Sequence, residues 1–345
     1  MKQSGLKDVA ERSGTSVSTV SMVLNGRGAH YAARTRERIR RAVDELGYRP
    51  NAFARSVQCG RYGTVALVMS PEDHRSTLPS GVLKGISEAL MARYLHLDVA
   101  YIPDAQLTSA ATLPRLLREG SCDGMLLNYH AHVPPQLEEL VERHRLPVVW
   151  INAKRAHDCV YPDDLGAGVR AAEALLAAGH RRIAYVDIMY HRAEHFDILH
   201  FSKTDRLDGY RQAMRQAGLP SICVLPEDAR DGSCAMQRLL RGANPITAAI
   251  GYTHLDAEVI ALAAARAGLA IPADVSLVTF SGDNTPIGAL KVTLMAIPER
   301  QVGQTAVEML LEKIRNPRQV LQPRILDFAF DAGETLAPAR GRADG

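Results

Sequence analysis

Residues 6–25, LKDVAERSGTSVSTVSMVLN, constrain the fold more tightly than any other stretch of the chain. Two short amphipathic runs flank Gly14: Leu6, Val9, Ala10 and Ser13 before it, Val17, Val20, Val23 and Leu24 after it. Ala10, Gly14 and Val20 stand at the spacing at which a helix-turn-helix needs a small contact residue, a turn glycine and a buried aliphatic side chain. Gly14 can turn left-handed without a Cβ penalty. Ser16 is placed to N-cap the second helix, whose amino end then offers free N–H groups to a phosphate. Val17, Ser18 and Met22 are left to face the bases of a DNA major groove. Any three-helix core has small and aliphatic residues at such places, so the spacing needs support from the rest of the chain.

Charge supplies that support. Residues 1–61 carry 12 Lys+Arg against 5 Asp+Glu, a surplus of seven positive charges in a chain of 345 residues whose total is only +3. Positive charge concentrated in the front sixth is what phosphate contact requires. After the turn-like NGRGAHYAAR comes TRERIRRAVDELGY, in which Ile39, Ala42, Val43 and Leu46 make one apolar helical stripe closed by Gly47. Its other face carries Arg36, Arg38, Arg40 and Arg41. Pro50 then opens NAFARSVQCG, a helical segment too short to stand alone in water, which marks 50–60 as a hinge.

From Arg61 onward the pattern becomes strand, helix, strand, helix. The expected strands are TVALVMS, LDVAYI, DGMLLNY, PVVWIN, RIAYVDI, TAAIGYT and SLVTFS, with SGVLKGISEALMARY, GAGVRAAEALLAAG and DAEVIALAAARAG as helices between them. Short apolar strands alternating with amphipathic helices mean parallel sheets covered on both faces, and seven strands fit two similar subdomains better than one sheet. The five cysteines (Cys59, Cys122, Cys159, Cys223, Cys234) are odd in number and lack C-x-x-C spacing, as expected of thiols in a reducing cytoplasm. No apolar run approaches the ~18 residues of a membrane span, so no membrane partner is expected.

At this point the residues resemble the lactose-repressor/galactose-repressor (LacI/GalR) family of bacterial transcription regulators. The resemblance runs through LKDVAERSGTSVSTVSMVLNG, TRERIRRAVDELGYRPNAFARS, AGHRRIAYV, DRLDGYRQAM, AGLAIPADVSLVTFSGDN and PERQVGQTAVEMLLEKI. It implies an all-α helix-turn-helix DNA-binding head (1–49), a hinge helix (50–60) and an α/β periplasmic-binding-protein-like core (61–338) of two parallel-sheet subdomains. The N-subdomain is placed at about 61–161 and 290–322, and the C-subdomain at about 162–289 and 323–338. The resemblance also implies a homodimer on a near-palindromic double-stranded operator, a small carbohydrate effector between the subdomains, no cofactor, and a cytoplasmic, nucleoid-associated bacterial protein.

Carried over by position, Val17, Ser18 and Met22 look like base-reading residues, and Thr19, Ser21 and Asn25 look like backbone contacts. Met22 stands where many members have a basic residue; it offers apolar contact only, for instance to a thymine methyl. In the hinge, Asn51, Ala54, Arg55 and Ser56 match, while Val57 replaces the usual minor-groove leucine wedge. In open parallel sheets the ligand crevice lies beyond the carboxyl ends of the strands. Reading those ends gives Ser70, Asn128, Tyr129, Trp150, Asn152, Asp187, Thr253, Ser281 and Asp283, with Trp150 and Asn152 two apart and so expected on one strand face. Arg206 in DRLDGY matches the family's effector-binding arginine, Asp283 matches its effector-contacting acid, or Ser281 takes that position if FSGDN inserts a residue, and Asn152 and Asp163 match polar positions at the subdomain junction. Thr253-His254 replaces the usual Asn-Asp.

Rival readings have weaker hooks. Gly166, Gly168 and Ala171 spell G-x-G-x-x-A, a dinucleotide fingerprint, but the motif follows PDDL rather than a strand. Helix-start chemistry is the plainer reading, and no enzyme activity is expected. His191, His195 and His200 cluster in an unusually long segment, YHRAEHFDILHFSKTD, where a metal site would need further ligands; no metal is expected. A free-standing solute-binding protein would need a signal peptide and no basic head.

Overall fold

The computed structural model describes residues 4–49, 61–72, 75–103, 121–129, 133–190, 200–226 and 229–340. It divides into two units, 1–63 and 64–345. The hinge residues Asn51, Ala54, Arg55, Ser56 and Val57, and His191 and His195, lie outside the described residues.

The first unit is three helices: α1 (Leu6–Ser13), α2 (Val17–Leu24) and α3 (Ala33–Glu45). Its core is Val9, Ala10, Val20, Ile39, Ala42 and Tyr48, with Leu6, Val23, Leu24, Val43 and Leu46 packed around them. Gly14 takes the left-handed conformation (φ 60°, ψ 41°) and ends α1. Gly47 does the same after α3 (φ 56°). The apolar stripe on α3 therefore packs against α1 and α2.

In the second unit the apolar strands assemble into two six-stranded sheets. The first is built from β1 (Thr64–Met69), β2 (His96–Tyr101), β3 (Gly124–Asn128), β4 (Val148–Ile151), β5 (Cys159–Pro162) and β11 (Arg324–Leu326), in the order β11-β5-β4-β3-β1-β2. All five pairings in this sheet are parallel. The second holds β6 (Ile183–Val186), β7 (Ile222–Val224), β8 (Ala248–Gly251), β9 (Ser276–Ser281), β10 (Thr293–Ala296) and β12 (Ala329–Asp331), in the order β12-β10-β9-β8-β6-β7. Only β12 is antiparallel there. Strands buried on both faces, such as GMLLN and AAIG, carry no polar alternation because helices cover both sides.

The covering helices are α4 (Ser80–Met91), α5 (Pro135–His144) and α10 (Glu299–Arg315) on the first sheet, and α6 (Asp164–Ala177), α7 (Phe201–Gln216), α8 (Ala229–Arg241) and α9 (His254–Arg266) on the second. Each sheet has one face closed by two helices crossing at glycines. A Cβ on Gly85 of α4 would lie 2.1 Å from the Arg300 carbonyl oxygen, and one on Gly303 of α10 would lie 2.2 Å from that of Val82. In the second subdomain, Gly168 of α6 meets the Arg206 carbonyl at 2.3 Å and Gly209 of α7 meets that of Leu165 at 2.2 Å. The backbones approach because neither helix has a side chain at the crossing.

All seven expected strands are present, and five short ones were not anticipated. Two of these move the subdomain boundaries. The first crossing follows Pro162, and β10 pairs with β9 (Thr293 opposite Val278), so the segment from 290 begins in the second subdomain. Likewise β11 pairs with β5 (Arg324 opposite Val160), so the segment from 323 begins in the first. Strands of three or four residues bring too little hydrophobic pattern to reveal which sheet will take them.

Candidate DNA interface and ligand crevice

The head presents α2 as a recognition helix. Ser16 caps it: its Oγ accepts the Thr19 N–H at 3.0 Å and lies 2.8 Å from the Thr19 hydroxyl. Val20 turns inward and is fully buried, whereas Val17 is 41% exposed and Ser18 is open to solvent. Thr19, Ser21, Met22 and Asn25 are half-buried. The Asn25 amide donates to the Ser21 hydroxyl at 3.3 Å, tying the last turn of the helix together. Arg34, Arg38, Arg40 and Arg41 of α3 are exposed, and Arg38 donates to the Gly14 carbonyl at 3.3 Å. The capped amino end of α2, with Val17 and Ser18 beside it, is therefore the exposed end of the motif, suited to a phosphate and a base edge.

In the core, a cavity of about 360 Å³ opens between the strand ends of the two sheets. Pro79, Val82, Pro162, Phe280, Ile297 and Val302 give it apolar walls, and Thr77, Asn152, Asp164, His200, Ser202, Arg206, Tyr252, Thr253 and Glu299 give it polar groups. Arg206 is its best-anchored cation. Its Nε donates to Asp164 at 2.6 Å and its Nη1 to the Tyr252 carbonyl at 3.0 Å. The guanidinium lies 4.6 Å from the Phe280 ring centre and 4.9 Å from that of Tyr252. Burial works against charge on both Asp164 and Arg206, and each holds the other's charge in place; the Asp164 carboxyl still ends above its usual range.

A chain of hydrogen bonds crosses from one subdomain to the other beside this pair. The Tyr252 hydroxyl lies 2.8 Å from Ser202 Oγ, and Ser202 Oγ lies 2.7 Å from His200 Nδ1. The Ser202 N–H also donates to Nδ1, at 3.2 Å, which makes that nitrogen the acceptor and leaves Nε2 to donate to the Asn152 carbonyl at 3.3 Å. Lys154 pairs with Asp205 along the same rim. Behind the wall, Lys203 is clamped by both oxygens of Asp187 at 2.8 and 2.7 Å. Asp256 accepts the Ile188 and Thr253 N–H groups at 2.8 Å each and the Thr253 hydroxyl at 2.6 Å; burial pushes its carboxyl up to about 6.

Of the strand-end residues and Arg206 read as effector contacts, Asn152, Arg206 and Thr253 line the cavity; Ser70, Tyr129, Trp150 and Asp283 do not, nor do Asn128, Asp187 and Ser281. Ser70 is buried in a turn, its N–H donating to Ser76 Oγ and its own Oγ accepting the Glu72 N–H. Tyr129 is fully buried, with its hydroxyl donating to the Ile102 carbonyl. Asp283 is exposed and accepts from the Ser281 and Thr285 hydroxyls of its own turn. Trp150 and Asn152 do not share a face: Trp150 points with Val148 into the layer under α5, where Arg155 stacks on it at 3.8 Å. Asn152 lies past the strand end at φ 53° and swings to the crevice. Trp150 instead floors a separate groove of about 780 Å³ on the first subdomain.

The glycine fingerprint has a packing role. Asp163 caps α6 by accepting the Gly166 N–H at 3.0 Å, and a Cβ at Gly166 would strike that carboxylate. Gly168 faces the Arg206 backbone, so the motif's glycines are covered and a pyrophosphate has no room beside them. Among the described residues no group of three or more His, Cys, Asp or Glu side chains is arranged to hold a metal ion, and no helix is long and apolar enough to cross a membrane. The sequence reading missed Asp164, Ser202, Tyr252, Phe280 and Glu299. Tyr252 sits beside Thr253 at a strand end already identified, and Glu299 follows a strand, TLMA, that was not.

Comparison with known proteins agrees with both halves. Residues 5–51 match the family described as bacterial regulatory proteins of the lacI family, and residues 172–335 match the periplasmic binding protein-like domain. The HTH-type transcriptional repressor PurR of Photobacterium profundum is 26% identical over 94% of this chain and 99% of its own. The maltose regulon regulatory protein MalI of Escherichia coli is 28% identical over 91% of this chain and 93% of its own. Among solved structures, a complex of the transcriptional regulator CelR with cellobiose superposes with a TM-score of 0.61 at 25% identity, covering 96% of this chain and all of that one. A lac repressor dimer bound to operator and an anti-inducer shares the fold, with a TM-score of 0.75 at 20% identity over 97% of this chain and all of its own. With a lacI-type head and a periplasmic-binding-protein-like core following one another along a single chain, the protein belongs to the LacI/GalR family of DNA-binding transcription regulators.

Proposed function

We propose that the protein is a repressor that binds a near-palindromic operator as a homodimer and changes its operator affinity when a carbohydrate occupies the crevice. The observation that carries the reading is the combination, in one chain, of an exposed capped recognition helix and a two-subdomain cavity with a buried Arg206–Asp164 pair at its wall. Cellobiose and operator DNA in the names of structural relatives support the two ligand classes. Val17, Ser18 and Met22 read the half-site, Thr19, Ser21 and Asn25 hold the DNA backbone, and Asn51, Ala54, Arg55 and Val57 engage the central minor groove. The effector contacts are Asn152, Arg206 and Thr253. Binding across two subdomains gives the effector different contacts in their open and closed arrangements, and that difference in affinity is what shifts the equilibrium.

A second copy has an apolar surface to meet. Tyr94 is 94% exposed and Met91 73%, next to the edge strand β2, which shows Val99 and Tyr101; an uncovered apolar edge of this kind invites pairing. No cofactor and no catalytic step enter this reading, and the protein acts in the bacterial cytoplasm, at the nucleoid.

The test is to select DNA from a random pool with the purified full-length protein, then titrate the selected sequence with and without sugars. Enrichment of a two-fold symmetric site whose affinity one sugar changes supports the proposal. Enrichment of no sequence, or of an asymmetric one bound by a monomer, refutes it.

A further inference from the structure

Four of the described residues lining the crevice have ionisable side chains other than tyrosine: Asp164, Arg206, His200 and Glu299. Asp164 and Arg206 cancel each other at 2.6 Å. His200 has both ring nitrogens engaged, Nδ1 with Ser202 and Nε2 with the Asn152 carbonyl. Lys203 and Lys154, behind the wall and at the rim, are each paired with a carboxylate, Asp187 and Asp205.

Glu299 stands apart. Its carboxylate accepts the Gly81 N–H at 3.2 Å and meets no cation among the described residues. Both subdomains make room for it: a Cβ on Gly81 would lie 2.5 Å from its Oε2, and one on Gly282 would collide with its Oε1. Burial pushes this carboxyl up, the Gly81 N–H draws it back, and nearby Asp283 adds to the rise. The carboxylate and guanidinium charges of the described walls therefore sum to one negative charge, held between the two subdomains.

We propose that Glu299 is a specificity-determining residue of the crevice: it admits neutral or amino sugars, accepting a hydroxyl or ammonium hydrogen, and rejects phosphorylated and acidic sugars. This rests on the crevice being the effector site. A like charge brought within ~6 Å at an effective dielectric near 20 lowers affinity on the order of a hundredfold.

The experiment measures thermal midpoints and calorimetric affinities of the full-length protein at fixed ionic strength for glucose, cellobiose, ribose, glucosamine, glucose 6-phosphate and gluconate. Wild type, Glu299→Gln, Glu299→Lys and Arg206→Lys are compared, with circular dichroism checking that each folds. The expected result is that wild type binds a neutral or amino sugar and not its anionic counterpart, that Glu299→Gln narrows the discrimination at least tenfold, and that Glu299→Lys reverses it. Wild type binding the phosphate or acid as tightly as the neutral parent overturns the proposal, as does an unchanged ratio in Glu299→Gln or silence of every protein toward the whole panel. A sugar that binds wild type and Arg206→Lys equally well lies outside the crevice and overturns the effector-site reading itself. An anionic sugar lost in Arg206→Lys overturns the charge rule alone.

Discussion

Gly168→Ala sets two effects of opposite sign against each other. Alanine in the interior of a helix is favoured over glycine by about 1 kcal/mol, so on an isolated helix the substitution would stabilise. Here the new Cβ would lie 2.3 Å from the Arg206 carbonyl oxygen and 2.9 Å from its carbonyl carbon and Cα. Ordinary contact begins near 3.4 Å, and the atoms in the way are backbone, which cannot rotate aside. α6 and α7 must separate by about an ångström, loosening Ala171, Leu207 and Tyr210 between them, and overpacking of this kind costs roughly 1–3 kcal/mol or more. The upper end of that range applies because backbone meets backbone, which leaves a net loss of about 2 kcal/mol. At ~2–4 °C per kcal/mol for a core of this size, the midpoint should fall by roughly 5 °C. The displaced backbone is that of Arg206, so sugar affinity should weaken as well. Gly85→Ala, which makes an equally close contact at 2.1 Å in the other subdomain, should lower the midpoint and leave Arg206 in place. Scanning calorimetry and a sugar titration on both variants test this. A Gly168→Ala midpoint at or above wild type would mean that propensity won and that the two helices do not touch as described.

Three further outcomes follow from the same geometry. Ser16→Ala removes the cap of α2 and should cost about 1 kcal/mol of head stability, with weaker operator binding; unchanged amide-exchange protection in the head would argue against the cap. Asp256 has a folded pKa of about 6 against an ordinary 3.8, so the native state holds the extra proton between those values and stability attributable to this group rises as pH falls through 6 toward 4. At pH 5 that amounts to about 1 kcal/mol relative to pH 7.5. The stability difference between wild type and Asp256→Asn should therefore move in favour of wild type on acidification, and a pH-independent difference would contradict the burial argument. Finally, burial raises the thiols of Cys159, Cys223 and Cys122, the last to about 11, whereas Cys234 is exposed. Iodoacetamide mapping at neutral pH should find Cys234 alkylated first among these four, and equal rates would contradict it.

The sequence by itself determined the head. Gly14, Ser16 and Val20 are local signals, each needing only its neighbours within a turn or two, and the structure uses them as a left-handed turn, an N-cap and a buried side chain. The seven long apolar strands were legible for the same reason, since their pattern is complete within the strand. What tertiary structure decided was membership and aim. β10 and β11 are too short to announce which sheet they join, and they fixed two of the three crossings between subdomains. The crevice depended on those crossings, for Glu299 reaches it only because α10 begins where the chain returns from β10 to the first subdomain. Arg206 was legible as a motif, yet its partner Asp164 lies 42 residues away and meets it only across the glycines of α6 and α7. Trp150 and Asn152 were separated by a single left-handed backbone at Asn152. That turn follows from how the strand end is held by the Val160 carbonyl, a contact between segments that periodicity along one strand does not record.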